Sequence, residues 1–130
     1  MTLPQSDPYE RRQTAVDTAR SLPLPDAIVH LWHHNQFAGV VRIDYHRALP
    51  SVGNSDLAAV EGRVGALRSR AFDWADESWA VTRQHLPQAE AAAAYDVFRS
   101  NALAEFHAEF PEFSDQSFDL VFERAVFALR

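Results

Sequence analysis

The chain has 130 residues, within the usual span of one domain, and 47% of them are apolar, enough to fill a core without disulfides or a structural metal. It contains no cysteine, which excludes disulfide stapling, thiolate zinc sites, iron–sulfur clusters and a cysteine nucleophile. The net charge is −6 and unevenly placed: residues 1–70 hold eight Arg and seven acids, a net of +1, while residues 71–130 hold four Arg and eleven acids, a net of −7. That balance argues against general nucleic-acid binding, which needs clustered basic side chains to replace counterions.

The first candidate helix opens at Ser6-Asp7-Pro8, with Asp7 as cap and Pro8 at the first helical position, and runs to about Leu22 before Pro23 and Pro25. Tyr9, Val16 and Ala19 are its expected inward positions, although its hydrophobic signal is weak. A second helix starts at Pro25-Asp26, carries Ile28, Leu31 and Trp32, and reaches about Asn35; Gly39 breaks the pattern. Val40 to Leu49 reads two ways. Val41, Ile43 and Tyr45 alternate with polar residues as a half-buried strand does, yet Val41, Tyr45 and Leu49 also fit one helical stripe. With no obvious partner strand the helical reading is preferred, and a short strand or hairpin near residues 28–46 is the alternative.

Pro50 to Asn54 forms a turn, and Asn54 or Ser55 can cap a third long helix. Leu57, Val60, Val64, Leu67, Ala71, Trp74, Ser78 and Val81 then step by threes and fours, an a/d heptad seam. Gly62 and Gly65 lie off that seam and allow a local break. His85 is the next seam position before Pro87 starts another helix, whose stripe is Ala91, Tyr95, Phe98, Ala102 and Phe106 and which Pro111 closes. Ser114-Asp115 caps a last helix with Phe118, Val121, Phe122, Ala125 and Leu129 on one face. The expected fold is therefore an all-α, single-domain bundle of five to six helices, with N-terminal helices in residues 8–49 packed on a three-helix core in residues 54–130.

Candidate sites arise on these elements. His30, His33 and His34 have the i, i+3, i+4 spacing of a metal site on one helix, but they fall opposite Ile28, Leu31 and Trp32, which favours an exposed polar face. Asp73, Asp76 and Glu77 around Trp74 and Trp79 can serve as an acid/base or metal set, and so can Glu105 with Glu109; a solvated acidic face is the simpler reading, and no Glu-x-x-His motif is present. Arg63, Arg68 and Arg70 make the densest basic run and are expected to pair with neighbouring acids. No glycine-rich phosphate loop or serine-nucleophile motif occurs. Phe110 and Phe113 flank Pro111 at a helix junction beside Glu105, Glu109, Glu112 and Asp115. An apolar pair rimmed by acids is a candidate protein-contact site, and a staple fixing the turn is its alternative.

Taken together, the residues lead us to expect a non-enzymatic, acidic, protein-binding domain of the inhibitor, immunity or adaptor kind, engaging a partner with a basic surface and using no cofactor. The alternative is a metal-dependent enzyme built on His30, His33 and His34 with helix carboxylates. Packing of the seam within the chain is preferred, because the neighbouring helices must bury their own stripes, and homo-oligomerisation through Leu57, Val60, Val64, Leu67, Trp74 and Val81 is its rival use. Residues 1–10 show no basic and apolar leader pattern and no window is apolar enough to span a bilayer, so a soluble cytoplasmic protein is expected.

Overall fold

A computed structural model describes residues 7–129; Ser6, and most of the stretch in which no leader is expected, lie outside them. The described residues form six helices and no strand: α1 (Pro8–Arg20), α2 (Leu24–Asn35), α3 (Tyr45–Ala48), α4 (Asn54–Thr82), α5 (Gln88–Glu109) and α6 (Asp115–Ala128). The fold is all-α. No helix is long and apolar enough to cross a membrane. Contacts divide the chain inside α4, downstream of the Pro50–Asn54 turn, into a compact unit ending at Val64 and another beginning at Gly65.

Local chemistry starts and stops these helices where side chains can satisfy the exposed backbone groups. The Asp7 carboxylate accepts from the N–H of Tyr9 at 2.7 Å, with Pro8 in the first turn of α1. Asp44 accepts from His46 N–H at 2.9 Å to start the single turn of α3, and the Ser114 side chain caps α6 through Ser117 N–H. α4 runs unbroken through Gly62 and Gly65. It ends at Thr82, and after a short turn His85 takes a φ of 53°, a left-handed conformation that no regular helix contains. His85 therefore ends the seam instead of extending it, and it is exposed.

In the N-terminal unit α1 packs on α2. Small residues, Ala15, Val16 and Ala19, make the inward face of α1. Tyr9, expected to point inward, is exposed, since it lies in the first turn, short of that contact face. α2 is enclosed on most of its circumference: Asp26, Ala27, Ile28, Val29, Leu31 and Trp32 are all buried. That enclosure explains a second correction. His30, His33 and His34, expected on an exposed face, are half-buried, because Val29 closes their side of the helix as well.

Residues 40–44 are neither helix nor strand. The alternation is real, since Ile43 is buried between exposed Arg42 and Asp44, but the backbone's partner is a side chain. The Asn35 amide accepts from Ile43 N–H at 2.8 Å and donates to Ile43 C=O at 3.0 Å. His34 Nε2 meets the Val41 carbonyl at 3.0 Å. Asn35 thus supplies the pair of hydrogen bonds that a neighbouring strand residue would give.

The second unit has an aromatic core. Trp74 lies 6.4 Å edge-on from Phe106 and 5.3 Å from Phe118, and Phe118 stacks on Phe122 at 5.6 Å. Along α4, Leu57 and Val64 are buried and Val60 half-buried in the first unit, and Leu67, Ala71, Trp74 and Ser78 are buried and Val81 half-buried in the second.

Candidate functional site

A concavity with aromatic walls opens in the second unit where the last turns of α4 face α5 and α6. Ser78, Trp79 and Thr82 come from α4, Tyr95 and Arg99 from α5, and Asp119, Phe122, Glu123, Val126 and Phe127 from α6, around about 480 Å³. Helical geometry puts each set on one face: Tyr95 and Arg99 are one turn apart, and the α6 residues recur at three- and four-residue steps. That volume lies in the range of specific binding pockets.

The walls combine apolar surface with a fixed ion pair. Tyr95 is 38% exposed and Phe127 56% exposed, whereas the aromatic floor beneath them is packed: Phe98 lies 5.8 Å from Tyr95 and 5.9 Å from Phe122. Arg99 donates through Nη2 to Asp119 Oδ1 at 2.7 Å, and its guanidinium carbon sits 5.4 Å from the Phe118 ring centre. The hydrogen bond to Asp119 is the main cause of an upward shift in the Arg99 pKa, which holds against the opposing effect of burial. Trp79 Nε1 is shut off from solvent and has no acceptor among the described residues.

The Ser78 and Thr82 hydroxyls of the cleft are committed to structure. Ser78 Oγ donates to the Ala75 carbonyl at 2.7 Å and Thr82 Oγ1 to the Ser78 carbonyl at 3.0 Å. No histidine lines the cleft, so no hydroxyl there is activated by an imidazole base. This arrangement can bind and orient an amphipathic group.

The residues singled out by sequence are distributed otherwise. Phe110 and Phe113 are buried, at 4% and 6% exposure, and Phe110 lies 6.4 Å from Phe106 and 6.3 Å from Phe113. Both are buried at the α5–α6 turn, Phe110 beside Phe106 and Phe113 beside Phe110. Glu109, Glu112 and Asp115 remain at the surface, with Asp115 Oδ1 2.6 Å from His107 Nε2. Glu105 is half-buried. Its Oε2 accepts from the Trp74 indole N–H at 3.0 Å and also pairs with Arg70. The Trp74 donor is the chief reason that the Glu105 carboxyl stays below the usual carboxylate range, with Arg70 adding to it and partial burial opposing it. Burial disfavours the Arg70 charge, but Glu105, Asp73 and Glu77 together raise its pKa. Arg70 lies 3.4 Å from Asp73 and 3.9 Å from Glu77, so the expected pairing of this arginine with neighbouring acids is present. Arg63 and Arg68 are exposed on α4.

His30, His33 and His34 do not converge with carboxylates: among the described residues no three His, Asp or Glu side chains are grouped so as to hold a metal ion. His34 Nε2 is occupied by Val41, and the His33 ring packs edge-on against Phe37 at 4.9 Å.

The cleft residues Trp79, Tyr95, Arg99, Asp119 and Phe127 escape sequence reasoning because three helices contribute them. One signal points there: Val126 and Phe127 are apolar but fall outside the α6 stripe, and apolar residues off the buried face require another explanation. No protein-family model matches the chain, and no curated protein or solved structure matches it either.

Proposed function

We propose that this chain is a non-enzymatic protein-interaction domain of the cytoplasm, of the inhibitor or adaptor kind, whose C-terminal unit seats a basic, amphipathic helical segment of a partner. One observation carries the reading: an open cleft of about 480 Å³ with exposed Tyr95 and Phe127 on its walls, in the acidic part of the molecule. Residues 65–130 hold six Arg and eleven acids, a net of −5, against six and seven, a net of −1, in residues 1–64. Apolar anchors supply affinity in such a groove while surrounding acids steer and orient a cationic partner. Glu123 lines the cleft itself, and the acid excess of the same unit sets the charge around it.

The test is calorimetric titration with a helical Leu/Arg amphipathic peptide. One-to-one, saturable binding that weakens as salt is raised, and that falls about tenfold or more in Tyr95→Ser/Phe127→Ser, supports the reading. Binding that never saturates, or that survives the double substitution unchanged, removes it.

A further inference from the structure

A second site, independent of the cleft, lies in the N-terminal unit. Arg12 and Arg20 from α1, Arg42 from the extended segment and Arg47 from α3 surround one small pocket of about 130 Å³. We propose that it binds a phosphoryl group, as inorganic phosphate or as the phosphate of a small phosphomonoester.

Three observations lead there. First, none of the four arginines makes an ion pair with a described residue, whereas Arg70 and Arg99 in the other unit are both paired. Acids are not in short supply, as the chain carries 18 of them against 12 arginines. Second, the only carboxylate lining the pocket is Asp44, and its Oδ1 is engaged in capping α3 through His46 N–H at 2.9 Å. Four like charges with one partly committed counter-charge repel one another, and a bound dianion removes that repulsion. Third, one guanidinium is held in place: Arg20 Nε donates to the Ala48 carbonyl at 2.8 Å, while Arg12 is half-buried and Arg42 and Arg47 are exposed and can close on a ligand.

Size and chemistry select the ligand class. The pocket is well below the roughly 300–1,000 Å³ of sites for drug-sized ligands, so it admits a single compact anion and leaves any organic remainder outside. Guanidinium forks match the oxygens of phosphate in paired hydrogen bonds, and several converging on one group favour a dianion over a carboxylate. No glycine-rich loop is involved, which is why motif inspection passes over the site: its four residues come from three separate segments.

The experiment compares thermal unfolding in inorganic phosphate, methyl phosphate, acetate and chloride at matched ionic strength, with phosphate affinity read separately by titration calorimetry. Phosphate or methyl phosphate at about ten times its Kd should raise the melting temperature by about 5 °C over chloride, and acetate should not, because only a ligand held by the folded state shifts unfolding. A response to inorganic phosphate alone identifies the free ion, and a response to both identifies the phosphomonoester class. Arg42→Gln/Arg47→Gln should lose the shift and weaken phosphate binding about tenfold or more, while its melting temperature in chloride stays equal or rises as repulsion is relieved. The proposal is overturned if phosphate acts no differently from chloride or acetate, or if the double variant keeps the whole phosphate shift.

Discussion

The indole N–H of Trp74 ends on Glu105 Oε2, the same carboxylate oxygen that pairs with Arg70. Trp74 is fully buried between Phe106 and Phe118, so this carboxylate is the means by which a core donor is satisfied. Glu105→Ala strands that donor and should cost about 2 kcal/mol. Glu105→Gln keeps an acceptor for Trp74 and loses only the charge toward Arg70, which is partly solvent-screened, so it should cost less than about 1 kcal/mol. Urea denaturation of both variants checks the order; equal losses would show that the ion pair, and not the indole hydrogen bond, is what Glu105 contributes.

Gly62 and Gly65 sit inside α4, and a Cβ built on either would meet nothing within 4 Å. Alanine at each position should stabilise the helix by roughly 0.5–1 kcal/mol, by restricting the unfolded chain without crowding the folded one. The gain should appear as a higher denaturation midpoint with an unchanged slope. A loss of stability in either variant would mean that the exposed face around these glycines makes contacts that a methyl group disturbs.

Acid should act on the two units in different ranges. Burial first, and then the neighbouring His34, lower the His30 pKa from its ordinary value. The unfolded chain therefore takes up this proton before the folded one does, and stability falls as pH drops below about 6.5, down to the folded-state pKa, where the effect levels off. Glu105 is depressed as well, so its contribution is complete above about pH 4.5 and is lost as pH falls through its lower folded value. Unfolding midpoints between pH 7.5 and pH 3 should decline in two stages. His30→Gln should flatten the upper stage and leave the lower one; an unaltered upper stage would assign that proton elsewhere.

Asn35→Ala should cost about 2 kcal/mol at most, since it removes two hydrogen bonds to one partly exposed segment. Hydrogen exchange offers the sharper reading. The Ile43 amide should lose protection while the α5 and α6 amides keep theirs. Protection at Ile43 that survives the substitution would show that burial of its side chain, and not Asn35, orders the segment.

Much of the helical framework is legible in the sequence, because each element carries its own signal. The heptad seam from Leu57 to Ser78 predicts buried positions that the structure buries, apart from half-buried Val60, and Asp7-Pro8, Ser114 and the prolines mark boundaries through local chemistry. What is not legible depends on more than one element. The alternation at Val41, Ile43 and Tyr45 reports burial correctly, but the partner is an asparagine amide on α2, which no periodicity reveals. The position of Ile28, Leu31 and Trp32 assigns the histidines to the surface, whereas the burial of Val29 on their own side depends on packing. Phe110 and Phe113 look alike as an exposed pair or an internal staple until the turn geometry is known. Arg12, Arg20, Arg42 and Arg47 are unremarkable singly and become a site only when three segments meet, and the same holds for Tyr95, Asp119 and Phe127.

The hydrogen bonds that Asn35 and His34 make to residues 41 and 43 have another effect, on what the segment does not do. Val-Val-Arg-Ile-Asp, residues 40–44, is non-helical, rich in β-branched residues, and has no strand beside it among the described residues. An uncovered stretch of that kind is a template on which a second chain can add a strand. By occupying the Ile43 N–H and both carbonyls at 41 and 43, two side chains from one helix end take the backbone groups that such an addition would need. The asparagine thus covers, with a side chain of the same molecule, backbone groups of residue 43 that would otherwise be open to a second chain.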